Sequence, residues 1–175
     1  SDLSRIDNRI EAVQKVLNEK YNNQERISVY VKQLDTDRVA AINDEKSMYA
    51  ASVAKLGVLY YAQERLSQKK LSLSDEYQYT SAVNGFPGAY DPDGSGKISK
   101  MPDDKNYSLE NLLKAVAQNS DNVATNILGY YVTNQYDKAF QKSVDKAAAT
   151  SWNMDKKELT ARAAGTLMEA VYRQN

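Results

Sequence analysis

Leu3, Ile6, Ile10, Val13 and Leu17 recur every three or four residues, which predicts an amphipathic helix over residues 2–20 with Asp2 or Ser4 as its cap. From residue 26 the period drops to two. Ile27, Val29 and Val31 alternate with Ser28, Tyr30 and Lys32, as in a half-buried strand over 26–34. Asp35-Thr36-Asp37 reads as a turn and 39–42 as the return strand, so a helix is followed by a hairpin. Beyond residue 50 the pattern is mostly helical. One helix is predicted over 52–67, with Leu56, Leu59, Tyr60 and Leu66 on its apolar side. Others follow at 109–118 behind a Ser108 cap, at 123–132 after a polar break, and at 136–144. A last one, over 161–173, has a Thr160 cap and turns Ala164, Leu167, Met168 and Val171 inward. Residues 80–107 hold all three prolines and four of the seven glycines, and read as loop. Only two clear strands appear, and an isolated hairpin is marginal in water. The sheet is therefore expected to be completed by further strands, from a missing segment or another chain.

Composition narrows the chemistry. The 175 residues carry 23 basic and 23 acidic side chains, with no block of one sign, so no nucleic-acid partner is expected. No apolar run is long enough to span a bilayer. The chain has no Cys and no His, which excludes thiolate nucleophiles, disulfides, zinc-cysteine sites, histidine metal ligands and a Ser-His-Asp triad. A nucleophile here must draw on Lys, Asp, Glu or Tyr as its base. Absence of Cys is compatible with an exported bacterial protein. Tyr outnumbers Phe by 13 to 2, which suggests half-wet apolar faces where a phenol can find a partner.

Ser52-Val53-Ala54-Lys55 places a hydroxyl and an amine three residues apart at the start of an apolar helix, hence on one face. A serine hydroxyl is a weak nucleophile until a neighbour takes its proton, and a desolvated lysine of depressed pKa can do that. The helix N-terminus adds unpaired N–H groups that favour a developing oxyanion. Ser120-Asp121-Asn122 occupies the polar break between two helices. Ser120 can relay a proton or bind a substrate carboxylate, and the Asn122 amide can reach Lys55 and a substrate carbonyl. Taken singly, each motif is also an ordinary cap or turn sequence.

Together, in this order, they resemble the class A β-lactamase and penicillin-binding superfamily of active-site serine enzymes, whose elements are Ser-x-x-Lys, Ser-Asp-Asn and Lys-Thr-Gly. Ser108-Leu109-Glu110-Asn111-Leu112-Leu113, the run from Ser120 to Leu128, and Thr160 to Met168 are similar to that superfamily's helices around the site. The resemblance implies an α+β, β-lactamase-like fold of two lobes, helical and α/β sandwich, with the C-terminal strands and helix missing from this chain. Residues 1–175 would form one incomplete domain, 1–45 in the α/β lobe and 46–175 mainly in the helical lobe. It further implies that Ser52 is acylated, that Lys55 is its proton partner, and that Ser120 and Asn122 line the pocket. The Ser52 N–H would supply half of an oxyanion hole, and Asp121 would hold the loop. The substrate would be a β-lactam or a D-amino-acid peptide of peptidoglycan, attacked at an amide carbonyl without a cofactor, at a bacterial cell surface or outside the cell. Two departures stand out. No Lys-Thr-Gly follows residue 122, and residues 147–157, where the superfamily's omega loop carries a deacylating glutamate, contain no Glu; Glu158 is the nearest. A non-catalytic binding domain is the competing expectation.

Residues 91–98 resemble the first eight positions of an EF-hand loop, with Asp91, Asp93 and Ser95 as calcium ligands, but the twelfth position is Pro102. A polar, turn-rich insertion is the alternative. Gly94-Ser95-Gly96-Lys97 lacks P-loop spacing. Trp152 with Met154 could line a ligand groove, but a single exposed or core Trp is the expectation. Tyr90, between the two motifs, is expected on a surface loop rather than gating a pocket.

Overall fold

The computed structural model describes residues 8–174. Asp2, Leu3, Ser4 and Ile6, the start of the first predicted helix, lie outside the described residues. The rest of that helix is α1 (Arg9–Tyr21), with Ile10 and Leu17 buried on the predicted face. It packs on the hairpin of β1 (Val29–Gln33) and β2 (Arg38–Ile42), whose antiparallel register sets Val29 opposite Ile42 and Gln33 opposite Arg38. Ile10, Leu17 and Ala40 form a small apolar cluster between them. Gln14 stands in for a neighbouring strand at the outer edge of β2. Its side chain donates to the Ala41 carbonyl (2.9 Å) and accepts from the Ala41 N–H (2.8 Å).

The larger cluster belongs to the helices: α2 (Lys55–Ser67), α3 (Leu109–Asn119), α4 (Asn122–Tyr131), α5 (Lys138–Ala148) and α6 (Ala161–Arg173). α4 is its axis: residues 122–129 are all buried, and the polar ones among them, Asn122, Thr125 and Asn126, are each hydrogen-bonded. An aromatic relay braces α2 and α5 through Tyr61–Phe140, Phe140–Tyr136 and Tyr136–Phe86, with ring centroids 5.4, 5.5 and 5.3 Å apart. Tyr79 shows why tyrosine serves here. It is fully buried, and its hydroxyl donates to the Ser99 carbonyl (2.8 Å) while accepting from Asn84 (3.0 Å).

Several sequence expectations need correction. Among the described residues there are six short strands rather than two. β3 (Met48–Tyr49) pairs with β6 (Glu158–Leu159), and β4 (Glu76–Gln78) with β5 (Asn106–Ser108). Strands of two or three residues are too short to show an alternation. The helix expected over 52–67 opens with a 3-10 turn, Ala51–Ala54, and becomes α-helical at Lys55. Its deepest face is Val58, Tyr61 and Ala62, while Leu56, Leu59, Tyr60 and Leu66 are half-buried. The helix expected from residue 136 begins at Lys138, because Asn134, Gln135 and Tyr136 all take positive φ and Asp137 caps Phe140 N–H at 2.9 Å. Ser108 and Thr160 cap as expected, accepting from Asn111 and Ala163.

α6 ties the two clusters together. Ala163 and Leu167 are buried, and its other side lies against β1, where Gly165 meets the ring of Tyr30. Lys32 of β1 bonds Glu169 (2.9 Å), which also pairs with Arg173 (2.8 Å). Met168 was expected inside. It is 51% exposed and lines an open groove of about 680 Å³ with Tyr49, Val53, Leu56 and Ala164. Among the described residues β1 pairs only with β2, so its other edge borders that groove. No helix among them is long and apolar enough to cross a membrane.

A side chain at Gly165 would collide with the Tyr30 ring. Gly165→Val is expected to lower the unfolding free energy by about 1–3 kcal/mol, as overpacking does. Urea denaturation measures it, and an unchanged midpoint would mean that α6 is not seated on Tyr30.

Candidate active site

The centre of the site is the amine of Lys55, a residue 3% exposed. Lys55 stands one turn after Ser52, and its Nζ lies 3.2 Å from Ser52 Oγ. It also donates to Ser120 Oγ (3.0 Å), to the Ser120 carbonyl (2.7 Å) and to Asn122 Oδ1 (2.6 Å). The structure thus brings Ser52, Lys55, Ser120 and Asn122 to one point. None of these acceptors is a carboxylate. Burial therefore dominates and lowers the Lys55 pKa below its ordinary 10.5, with the Asp121 charge opposing it. Ser52 is exposed, in the first turn of the helical segment that becomes α2. The residue before it, Ala51, takes a left-handed φ of 47°, an unusual conformation for a side chain with a Cβ and one that clusters at functional turns.

The second motif is shaped by its helices. Ser120 ends α3 in the left-handed conformation, which aims both its carbonyl and its hydroxyl at Lys55. Asp121 begins α4 and is 1% exposed. Its Oδ1 caps Ala124 N–H at 2.8 Å, and its Oδ2 accepts from Lys97 and Ile98 N–H at 2.7 and 3.0 Å. The carboxylate is consumed by backbone donors and holds the loop. Asn122 is also largely committed. Its Nδ2 donates to the Asp91 carbonyl (2.8 Å) and its N–H to the Ser95 carbonyl (2.8 Å), which leaves one amide hydrogen for any further acceptor.

Residues 91–98 therefore differ from a cation-binding loop. Ser95 Oγ turns away from a ligand position to donate to the Ser120 carbonyl (2.7 Å), Asp91 Oδ1 accepts from Asp93 N–H (2.9 Å), and Asp93 pairs with Lys100 (3.2 Å). Gly96, at φ +126°, lets the backbone pass where a Cβ would strike Asp121. The glycines and turn residues serve close packing on the Ser-Asp-Asn segment. Among the described residues no three His, Cys, Asp or Glu side chains gather as a metal site.

Two site residues were not legible as such. Tyr90 is not on the surface: it is 8% exposed, with its ring centroid 4.7 Å from Lys55 Nζ and its hydroxyl donating to the Ala51 carbonyl (3.2 Å). Asn126 of α4, fully buried, accepts from Tyr90 N–H (2.7 Å) and donates to its carbonyl (2.8 Å). An Asn in the middle of a largely apolar helix, one turn after Asn122, was the available signal. Met154 is buried in the core, and Trp152 is half-buried against it, with its ring on Gly57. Glu158 lies exposed in β6 opposite Tyr49.

Residues 8–175 match the model of a β-lactamase enzyme family. Among solved structures, PBP-A is similar, with a TM-score of 0.72 at 15% identity over 90% of this chain and 60% of that one. A β-lactamase from Sphaerobacter thermophilus gives 0.69 at 16% identity, covering 93% of this chain and 62% of the other. Penicillin-binding protein D2 from Listeria monocytogenes, in a cefotaxime-bound form, gives 0.64 at 15% identity, covering 83% and 61%. The chain thus spans about 60% of the length of these structures. At such identities the likeness establishes a shared fold. No curated protein matches the sequence.

Asp121→Asn keeps the shape but turns an amide donor toward the Lys97 and Ile98 N–H groups. It is expected to destabilise the protein by about 1.5–3 kcal/mol, the range for a buried hydrogen bond to a charged group. Unfolding in urea at neutral pH tests this, and wild-type stability would show that the carboxylate does not hold residues 97–98.

Proposed function

The chain belongs to the β-lactamase enzyme family, and we propose that its protein forms an acyl-enzyme through Ser52 on β-lactams or on D-amino-acid peptides of the bacterial cell wall, outside the cell. The observation that carries this reading is the single buried amine shared by Ser52, Ser120 and Asn122. Similar structures support the substrate class: a PBP-A mutant is an acyl-enzyme complex with penicillin G, and the Listeria protein is bound to cefotaxime.

In this reading neutral Lys55 accepts the Ser52 hydroxyl proton as Oγ attacks the carbonyl carbon. N–H groups at the start of the helical segment stabilise the resulting oxyanion. The C–N bond then breaks, and the proton passes from Lys55 through Ser120 Oγ, 3.0 Å away, to the departing nitrogen. An ester on Ser52 remains. Asn122 offers its remaining amide hydrogen to the substrate. Further strands, from the same protein or another chain, would pair with the open edge of β1 and cover the groove beside Ser52.

Hydrolysis of the ester needs a positioned water and a base. Among the described residues no Asp or Glu side chain is hydrogen-bonded to Ser52, Lys55 or Ser120. General-base assistance is typically worth about 10²–10⁴ in rate, so the second step is the slow one.

Incubation with a fluorescent penicillin followed by intact mass is expected to show a long-lived adduct, absent in Ser52→Ala, with little steady-state hydrolysis. Rapid turnover would contradict the missing base, and no adduct at all would favour a binding domain without catalysis. Because only neutral Lys55 accepts the proton, acylation should quicken as pH rises through its lowered pKa and level off below 10.5. A rate that is flat with pH, followed by stopped-flow labelling, would remove Lys55 as the base.

A further inference from the structure

A second lysine meets the same tyrosine ring. Lys157 is 8% exposed, and its Nζ lies 4.4 Å from the centroid of Tyr90, whose distance to Lys55 Nζ is 4.7 Å. Lys157 is held there by three features. Its Nζ donates to the Gly88 carbonyl (2.6 Å), its own carbonyl accepts from Ala50 N–H (2.8 Å), and its backbone takes a left-handed φ of 55°. The two backbone ends of this clamp are informative. Gly88 is two residues before Tyr90, and Ala50 is two residues before Ser52.

We propose that Lys157 is a positioning residue for Lys55: it fixes the Tyr90 wall of the site from the segment before β6, and its positive charge weakens the hold of Lys55 on a proton. The proposal rests on the reading of Lys55 as the base that activates Ser52. A ring quadrupole attracts each ammonium, and two ammonium groups held at one ring and largely shielded from solvent repel each other. The charged and titratable groups around the pair are few. Lys55 faces Asp121 along with Ser52, Ser120 and Asn122; Lys157 faces Asp155. Burial lowers the Lys157 pKa, with Asp155 opposing it. The Tyr90 phenol is raised far above its ordinary value by burial first and then by Tyr136 and Tyr49, so the ring stays neutral.

The test is a titration of the whole protein labelled with 13C at lysine Cε, followed by NMR, with Lys55 assigned from Lys55→Arg. In the unsubstituted protein the Lys55 and Lys157 resonances should each titrate over a broader pH range than a single independent site, as interacting sites do. Two curves each of single-site width would overturn the proposal without recourse to any variant. Lys157→Met should raise the Lys55 midpoint by about half a unit to one unit, and Lys157→Arg should restore it. A Lys55 midpoint unchanged in Lys157→Met would also overturn it. Labelling by a fluorescent penicillin supplies the second readout: at pH 7 the adduct should form about 3- to 10-fold more slowly in Lys157→Met, converging on the wild-type rate at high pH. If no variant forms an adduct but the two lysines still titrate as a coupled pair, the Ser52 reading falls and the coupling stands.

Discussion

An ammonium group taken out of water must have its hydrogens accepted, and Lys55 is the point where this fold meets that demand. Its acceptors come from two places remote in sequence: Ser52, one turn before it, and the junction of α3 and α4. α2 and that junction cannot separate without stranding a buried charge, which costs several kcal/mol in protein interiors. The local backbone meets the same demand. Ser120, the left-handed cap that ends α3, turns both its carbonyl and its hydroxyl to the amine. An ion pair would satisfy the charge more simply. It would also hold the proton in place, whereas neutral acceptors leave the amine able to exchange one with Ser52.

The surrounding residues keep this arrangement rigid by committing the polar groups that might disturb it. The Asp121 carboxylate is spent on three backbone N–H groups, so it does not pair directly with Lys55. Ser95 and the Asp91 carbonyl fix the carbonyl of Ser120 and the amide of Asn122. Asn126 pins the backbone of Tyr90 on both sides, and the ring closes the remaining face of the amine. The cost is borne by a loop rich in glycine and proline, whose sequence looks like a cation site because close packing and cation binding call for the same turn residues.

Much of this was legible in the sequence where the signal was periodic or local. α1, the hairpin, and the caps at Ser108 and Thr160 follow from spacing and side-chain chemistry, and the Ser-x-x-Lys and Ser-Asp-Asn pairing pointed to the four residues that converge. Paired strands of two or three residues left no pattern to read. Met168 fits a helix period yet lies exposed, because the period tells which residues share a face and not what lies against it. Tyr90 and Lys157 could not be found as site residues from sequence: their meeting depends on the loop after residue 84 and the segment before β6 folding over the same amine. Asp121 was expected to hold the loop, but which N–H groups it holds required the geometry.

The most direct test of Lys55 as the base for Ser52 replaces the amine and keeps its volume. Lys55→Met protein, first shown to be folded by circular dichroism, is incubated with a β-lactam probe beside the unsubstituted protein, and the peptide containing Ser52 is followed by mass spectrometry over time. A Ser52 adduct is expected in the unsubstituted protein, forming at least about 10²-fold more slowly without the lysine. Acylation of Ser52 at an equal rate in both proteins would contradict it.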